Sequence, residues 1–522
     1  MLFSQLQPPH RSLLLVRPRP AFAAVVSLLT VSAAWAHDWG QYQHDAAHTG
    51  RSQAVVNPLD LTLAWTAPTV PTFPGSFQKL GYSNPVIVGD TVFGTLKSFD
   101  TNIPTTISAF FLVNGVAKWT YSGNFIESPA AVAGGFVVFV GRTSDDDGAL
   151  YVLDSASGAL RYVVPISAYL GLIPTLIQDP TTGNVTAIIT NGGEVSAVSL
   201  GLTSGTVLWE GVAFSGGASI PTVVGSSIVV AGPGEYYALD LATGAVNQFH
   251  QGDIFGGGGV TVAYDAVRSE FYVREFHDSS HTGATLSAYR YMDNDHITLL
   301  WQRAGAGIGN GSDGGTVAVG PNGEVYSAGS DVILELDPAT GATLRSIPGS
   351  FAAGMTPALT NGVLWAYSGF STPQTLAYDL STLQLIRSFP GARGDTNIPY
   401  SSPGAFAAGY FVLDYGYSHG RSFDVYVAPT PTLTPTPAPT PAPTPSGKTI
   451  TLRAAPVAGG TVVGTGIYQA GQRITVRAVG ARGYKFKQWT QNGRKLSNSP
   501  SYSFTVTSNR ILTAQFTKTR RR

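Results

Sequence analysis

Four side chains with metal-binding potential follow one another near the middle of the chain: Glu275, His277, Asp278 and His281. Carboxylate oxygens and imidazole nitrogens are the usual ligands of zinc and related divalent ions. A His-x3-His pair holds a metal most readily on a helix, where both rings share one face. The surrounding sequence indicates a hairpin loop instead. The stretch is therefore either a metal site or a solvated loop tip.

A second group of candidate residues lies near the C-terminus, where Lys485, Lys487, Arg494 and Lys495 surround Trp489. From Gly447 to Arg522 the chain has fourteen lysine or arginine residues and no aspartate or glutamate. Uncompensated positive charge attracts anionic polymers, and an exposed indole would add a stacking surface. These five residues are predicted to bind a polyanion such as an anionic polysaccharide. The alternatives are a purely solubilising charge and docking onto the acidic remainder of the chain.

Several other chemistries are excluded by residues that the sequence lacks. The chain contains no cysteine, so disulfides, thiolate metal sites and cysteine nucleophiles cannot form. The glycine run 256–259 is not followed by the Lys-Ser/Thr pair of a phosphate-binding loop. No serine nucleophile elbow is present. No catalytic residues are assigned on this basis.

The elements that must position these residues are β-strands. The 522 residues include 61 glycines and 34 prolines, only 12% are charged, and no long helical period stands out. The decapeptide from Tyr237 to Val246 is typical of strand, tight turn and strand. Asp240 can accept hydrogen bonds from the amides that follow it, and Gly244 supplies the positive φ that closes the turn. The pattern recurs at Asp154 to Gly158 and at Asp337 to Gly341.

The recurring hairpin belongs to a larger repeat. Eight units, at intervals of roughly 40 to 55 residues, each open on a small residue, usually with proline, followed by an apolar strand, and this spacing fits four-stranded propeller blades. The openings begin at Asn84, Ser128, Ile173, Ile220, Gly259, Gly315, Thr356 and Ser402. The eighth unit lacks its last strand, and residues 61–65 near the N-terminus supply one of that pattern. An all-β, eight-bladed β-propeller closed by the N-terminal strand is predicted, with seven blades as the alternative.

The remaining segments indicate export and a two-domain body. Three arginines, an apolar run from Ala21 to Val31 and the Ala34-Trp35-Ala36 pattern predict a signal peptide over residues 1–36. The propeller is assigned to 37–428, a Pro/Thr-rich linker to 429–446 and a basic β domain to 447–522. We expect a secreted or cell-surface protein (periplasmic if the host has an outer membrane). It should be a monomer without a transmembrane helix after cleavage.

The repeats and the tail each resemble a known family. The Leu-Asp-x-x-Thr-Gly pattern, with the opening Trp39-x5-Asp45-x3-Thr49-Gly50, resembles the PQQ-like, quinoprotein-type β-propeller repeat. The tail resembles the divergent InlB B-repeat of bacterial surface proteins through Gly459-Gly460-Thr-Val, Tyr468, Gly483-Tyr484 and Leu512-Thr-Ala-Gln-Phe516.

Three functional hypotheses follow from these resemblances. The first is a non-catalytic binding or scaffold propeller that contacts proteins or envelope polymers through its loops and central channel, without a cofactor. The second is the PQQ- and calcium-dependent dehydrogenase that the quinoprotein resemblance implies. Its usual vicinal cysteine pair cannot exist here. The third is a secreted polysaccharide-active enzyme.

Overall fold

The computed structural model describes most of both domains. The described residues are 39–67, 81–97, 105–123, 126, 128–143, 148–166, 173–191, 194–211, 219–232, 235–251, 261–276, 284–292, 296–305, 307–308, 316–352, 355–368, 374–390, 403–413, 423–429, 448–468, 471–481 and 483–519. The chain divides into two compact units, residues 1–430 and 431–522. Within the described residues, no helix is long and apolar enough to cross a bilayer.

The regular elements in the described residues of the first unit are β-strands. Strands of its first half are β1 (Thr62–Thr66), β2 (Gly81–Val88), β3 (Thr91–Lys97), β4 (Thr105–Phe111), β5 (Ala117–Gly123), β6 (Ala131–Ala133), β7 (Phe136–Arg142), β8 (Gly148–Asp154), β9 (Leu160–Pro165), β10 (Thr175–Gln178), β11 (Val185–Asn191), β12 (Glu194–Leu200), β13 (Gly205–Gly211), β14 (Thr222–Val224), β15 (Ser227–Gly232), β16 (Glu235–Asp240) and β17 (Val246–Gln251). Those of its second half are β18 (Ala263–Asp265), β19 (Glu270–Phe276), β20 (Ala284–Met292), β21 (His296–Ala304), β22 (Ala318–Val319), β23 (Val325–Ala328), β24 (Val332–Leu336), β25 (Thr343–Pro348), β26 (Ala358–Thr360), β27 (Val363–Tyr367), β28 (Gln374–Asp379), β29 (Leu385–Pro390), β30 (Gly404–Ala407), β31 (Tyr410–Leu413) and β32 (Asp424–Val427).

These strands form eight four-stranded antiparallel sheets in the described part of the chain. Seven take four consecutive strands each, from β2-β3-β4-β5 to β26-β27-β28-β29. The last sheet has the order β1-β32-β31-β30, with Thr62 opposite Val427. The predicted use of the N-terminal strand to complete the last sheet is thus confirmed. This pairing covers the edge that β32 would otherwise expose.

The recurring aspartate has the structural role that its position predicts. The Asp240 carboxylate accepts hydrogen bonds from the amides of Ala242 (3.1 Å) and Thr243 (2.8 Å), and Gly244 has a φ of +69°. Asp154 and Asp337 make the same turn. In the sheets that contain Asp154, Asp240 and Asp337, the register between the third and fourth strands shifts just before this turn. The hairpin is therefore a repeated structural device, and Asp240 is not a chemical group of a site.

Adjacent sheets are joined by side chains of their outermost strands. Four tryptophans donate their indole N–H, at 2.6 to 3.1 Å, to a carbonyl in the next hairpin: Trp65 to Leu112, Trp119 to Ser155, Trp209 to Leu241 and Trp301 to Pro338. Three arginines make similar bonds to the next sheet: Arg161 to Leu202 and Arg345 to Leu380 in hairpins, and Arg387 to Leu61 just before β1. Each indole lies against the hairpin glycine, and a Cβ on Gly244 would come within 2.4 Å of Trp209. The glycine thus serves both the turn and the contact between sheets.

Residues 39–55, called the N-terminal segment below, run past all eight sheets in order. Seven sheets are reached at their first strand and the eighth at Gly409, with bonds of 2.7 to 3.0 Å: Trp39 with Ile87, Gly40 with Val132, Gln41 with Leu176, Ala46 with Val223, Ala47 with Tyr264, Thr49 with Val319, Gly50 with Leu359 and Val55 with Gly409. In the third contact the Gln41 side chain takes the place of a backbone group. One segment therefore ties the sheets together around the ring axis.

The second unit is a small domain of two sheets. Its strands are β33 (Lys448–Ala455), β34 (Gly460–Val463), β35 (Gly466–Tyr468), β36 (Arg473–Gly480), β37 (Tyr484–Gln491), β38 (Arg494–Ser497), β39 (Ser501–Thr505) and β40 (Arg510–Lys518), with a 3-10 turn at Val457–Gly459. A five-stranded sheet has the order β35-β33-β40-β37-β38, in which β33 and β40 are parallel. A three-stranded sheet has the order β34-β36-β39. The two share one apolar core that contains Leu452, Val476, Trp489 and Phe516.

Candidate binding surfaces

Glu275, on β19, lies inside the propeller, with 4% of its surface exposed. Its carboxylate accepts hydrogen bonds from five side chains: Tyr236, Tyr289 (2.6 Å), Ser287, Thr285 (3.3 Å) and Gln302 (2.9 Å). Tyr236 belongs to the neighbouring sheet, so the carboxylate joins two sheets. Five donors account for the acceptor capacity of both oxygens. Glu275 is thus committed to a buried polar network.

The other predicted metal ligands, His277, Asp278 and His281, lie outside the described residues. Nowhere in the described part of the chain do three histidine, aspartate or glutamate side chains come together. The metal site therefore remains a prediction that concerns the loop after β19. To bind a metal there, Glu275 would have to lose hydrogen bonds that its carboxylate already accepts from hydroxyl groups.

The interior next to the N-terminal segment holds two buried ionisable groups. Arg274 is 2% exposed and donates to the carbonyl of Ala328 (3.0 Å), and burial lowers its pKa to about 10. His48 is 1% exposed, its Nδ1 lies 3.0 Å from the Thr222 hydroxyl, and burial lowers its pKa to about 4. At neutral pH the arginine is therefore charged and the histidine neutral. The neutral histidine is a packing residue that hydrogen-bonds the inner strands.

A pocket lies where the N-terminal segment meets the first residues of the inner strands. Its lining includes Trp39, Tyr42, Asn84, Ala130 and Ile173. No carboxylate, lysine or arginine contributes to it among the described residues. The pocket offers apolar and hydrogen-bonding contacts only.

These side chains do not fit a calcium-PQQ site. Calcium takes six to eight oxygen ligands, with carboxylates prominent among them. The buried carboxylates of the described interior are already engaged: Glu275 by hydroxyl groups, Glu270 by Arg268 (3.1 Å) and Arg290 (2.7 Å), Glu335 by Arg345 (2.6 Å), Asp424 by the Thr66 hydroxyl (2.7 Å) and Asp265 by the Val267 amide (2.9 Å). We therefore derive no catalytic step through PQQ or calcium.

The five predicted polyanion-binding residues divide between three environments. Lys485 and Lys487 are exposed on β37, and Lys495 is exposed on β38. Arg494 is also exposed, but it pairs with Gln491, whereas Lys495 pairs with Thr490. Because neighbouring residues of a strand point to opposite faces, Arg494 and Lys495 lie on different sides of the sheet.

Trp489 corrects the prediction, because it is fully buried and donates to the carbonyl of Pro500 at 3.2 Å. Simple alternation along β37 would place Trp489 on the same face as Lys485 and Lys487. A register shift between Phe486 and Gln488 turns it into the core instead. Trp489 is therefore a core residue and offers no stacking surface.

Sequence reasoning missed a fourth cation on the outer face of the five-stranded sheet. Arg453 is exposed on β33 and lies opposite Thr513 of β40. Thr513 in turn lies opposite Thr490, which lies opposite Lys495. One row across four strands therefore has a cation at each end and two threonines between them. Strand alternation in residues 448–455 could have shown Arg453 to be exposed, but its neighbours depend on the long-range parallel pairing.

The outer face of the three-stranded sheet differs. Arg473 and Arg477 are exposed on β36, with Thr475 between them bonded to Ser503 at 2.7 Å. Arg477 lies opposite Val463, which is 64% exposed, and Val479 on the same strand is 51% exposed. This face therefore mixes two cations with exposed aliphatic side chains.

Two family models match parts of this chain, and several solved structures are similar to it. Residues 33–249 match the family model of the outer membrane protein assembly factor BamB, and residues 439–520 match that of the divergent InlB B-repeat domain. Among solved structures, BamB from Moraxella catarrhalis is 15% identical, with 70% of this chain and 99% of that chain covered and a TM-score of 0.46. A europium-containing methanol dehydrogenase is 12% identical, with 75% and 98% covered and a TM-score of 0.47. No curated protein matches the chain.

The ring of four-stranded sheets and the two matched models define the class of protein. It is an all-β protein of the β-propeller type, and its residues 33–249 are similar to the repeat model of BamB. Its C-terminal unit is a divergent InlB B-repeat domain.

Proposed function

We propose that the protein is an exported, non-catalytic binding or scaffold propeller whose C-terminal domain associates it with an anionic surface polymer. The propeller would contact proteins or envelope polymers through its loops and channel, and the basic domain would add a second, weaker contact by avidity. Export to the cell surface, or to the periplasm of a host with an outer membrane, follows from residues 1–36.

The scaffold role is supported by how the propeller uses its polar groups. The buried carboxylates of Glu270 and Glu275 serve ion pairs and hydroxyl networks within the fold. The matched repeat model is that of an assembly factor, which supports a role in contacting other proteins.

The observation that carries the polymer-binding part is the charge of the C-terminal domain. Its fourteen cationic residues have no acidic residue within the domain to neutralise them. Exposed cations without local partners raise the local concentration of polyanions, and salt screens this attraction. The domain therefore suits a reversible, salt-sensitive attachment.

Retention of the chain on immobilised dextran sulfate tests this proposal. We expect retention at about 50 mM salt and release at about 500 mM, because the Debye length falls severalfold over this range. A chain without residues 447–522 should pass through at both concentrations. Retention that survives the deletion would contradict the role of the domain.

The hypothesis that the protein is not an enzyme is tested in a separate experiment. After incubation with PQQ and calcium, the chain should show neither quinone absorbance nor dye reduction with alcohols. A panel of glycans should remain uncleaved. Dye reduction would support the dehydrogenase hypothesis, and glycan cleavage would support the polysaccharide-active enzyme.

A further inference from the structure

We propose that the outer face of the five-stranded sheet in the C-terminal domain is a binding site for an anionic polysaccharide, held by Arg453, Lys485, Lys487 and Lys495. This rests on the proposed attachment function and assigns it to one face of the domain. The site differs from the cluster predicted from the sequence, because it includes Arg453 and excludes Trp489 and Arg494.

The four cations surround a polar floor. The row Arg453, Thr513, Thr490 and Lys495 crosses four strands, which places its two charged ends about 14 Å apart at a strand spacing of ~4.8 Å. Next to it, the Gln488 amide donates to the Gln515 side chain at 2.9 Å. The floor is therefore made of hydroxyl and amide groups. Thr513, Gln488 and Gln515 are half-buried, whereas Thr490 is 3% exposed and donates its hydroxyl to the Thr513 carbonyl at 3.3 Å.

Lys485 and Lys487 extend the positive charge along β37. As alternate residues of a strand they are about 7 Å apart, and both are exposed. The domain contains no aspartate or glutamate that could form an ion pair with them. The positive charge on this face is thus available to a ligand.

The chemistry of the face favours a charged sugar polymer over nucleic acid. Single-stranded nucleic acid is held largely by stacking of its bases on aromatic rings. Trp489 is buried, and Tyr484 and Phe486 pack against the core. The half-buried side chains of Thr513, Gln488 and Gln515 can instead exchange hydrogen bonds with sugar hydroxyls, while the cations pair with carboxylate or sulfate groups.

A lipid surface fits the face less well. Peripheral membrane binding relies on a broad apolar face that enters the headgroup region. On this face Ile511, 47% exposed, is the large aliphatic residue of β40 that reaches solvent in the described domain. A single side chain of this size buries too little apolar surface for anchoring.

The three-stranded sheet supplies a matched control. Its Arg473 and Arg477 carry the same charge as Arg453 and Lys495 but lie among exposed valines. Replacing either pair by glutamine lowers the domain charge equally. Any difference between the two double variants therefore reports the position of the charge and not its amount.

The experiment measures binding of the full chain to dextran sulfate and to polygalacturonate at low salt. At about two- to threefold for each exposed ion pair, R453Q/K495Q should weaken binding about sixfold, and R453Q/K485Q/K487Q/K495Q about 30-fold. R473Q/R477Q should change it by less than about twofold. Neutral dextran serves as the uncharged probe, and circular dichroism confirms that every variant is folded.

The outcomes separate this site from the broader proposal. No binding by the unmodified chain would overturn both. Binding that both double variants weaken equally would overturn the assigned face while leaving polymer attachment intact. Tighter, R453-dependent binding to phosphatidylglycerol vesicles or to single-stranded DNA than to either polysaccharide would overturn the ligand class.

Discussion

The propeller and the C-terminal domain treat charged residues in opposite ways. In the propeller, Glu270 lies between Arg268 and Arg290, and Glu335 is paired with Arg345 at 2.6 Å. In the C-terminal domain the cations have no acidic neighbour within the domain, and strands β33, β37 and β38 present four of them on one face. Paired charges contribute to the fold, whereas unpaired surface charges are available for binding. This difference is the reason that the proposed polymer attachment is assigned to the C-terminal domain.

Both regions use tryptophan in the same way, however. Trp39 of the N-terminal segment is 2% exposed, and Trp489 of the C-terminal domain is fully buried. Each packs in a hydrophobic core, although Trp39 also contributes to the lining of the pocket beside the N-terminal segment. The two regions therefore differ in their charged residues and not in their tryptophans. Three substitutions, one in the C-terminal domain and two in the propeller, test the roles assigned to buried residues in each region.

The largest expected effect is that of Trp489→Ala. This substitution tests whether the indole is a core residue or a ligand contact. Removing a fully buried tryptophan should lower the free energy of unfolding of the C-terminal domain by about 3–5 kcal/mol. Denaturant titration of the full chain, followed by circular dichroism, measures the change, and the propeller transition should not move. Lys487→Gln is the exposed control and should change stability by less than about 0.5 kcal/mol. A folded Trp489→Ala variant that merely loses polymer binding would contradict the core assignment.

A smaller effect is expected from Gly244→Ala, which tests the contact between sheets inside the propeller. The added Cβ would meet the Trp209 ring at 2.4 Å in a turn where φ is +69°. Strain of about 1 kcal/mol and overpacking of about 1–2 kcal/mol should together lower the free energy of unfolding by about 2–3 kcal/mol.

Gly183→Ala is the matched control for this substitution. Gly183 closes a similar turn after Asp179 with a φ of +75°, but no atom lies within 4 Å of its added Cβ. It should cost only the backbone strain of about 1 kcal/mol. Equal losses in the two variants, measured by denaturant titration, would show that the tryptophan contact contributes nothing.

The smallest effect concerns the pH dependence of the propeller. The folded pKa of His48 is about 4, below its usual value of 6.5, because the ring is buried. The unfolded chain therefore binds more protons between these values, so the stabilisation is complete above pH 6.5 and is lost as the pH falls towards 4. From pH 7 to about pH 5 the free energy of unfolding should fall by about 2 kcal/mol from this group.

His48→Asn should remove that part of the pH dependence, since asparagine also tolerates the positive φ of this position. Denaturant titrations at the two pH values compare the variant with the unmodified chain. The C-terminal domain has no histidine or acidic residue, so its transition serves as an internal control in the same experiment. An unchanged pH slope in the variant would show that His48 is not the group responsible.

Local features of the fold could be predicted from the sequence because they depend on neighbours in the chain. The Asp240 turn, the positive φ of Gly244 and the alternation of the strands all arise within a few residues. The N-terminal strand β1 was also predicted, because the repeat left one strand missing at its end. The contacts of Gln41, which replaces a backbone group in pairing with Leu176, were not predicted, because they depend on eight distant strands converging on one axis.

The candidate site shows the same division. The sequence by itself determined that the C-terminal domain is basic and that Lys485 and Lys487 belong to its cluster of cations. Only the tertiary structure decided that a register shift buries Trp489 and that Arg453 lies in one row with Lys495. The physical reason is that charge and alternation are local properties of a strand. The register between strands, in contrast, is set by the packing of residues that are far apart in the chain.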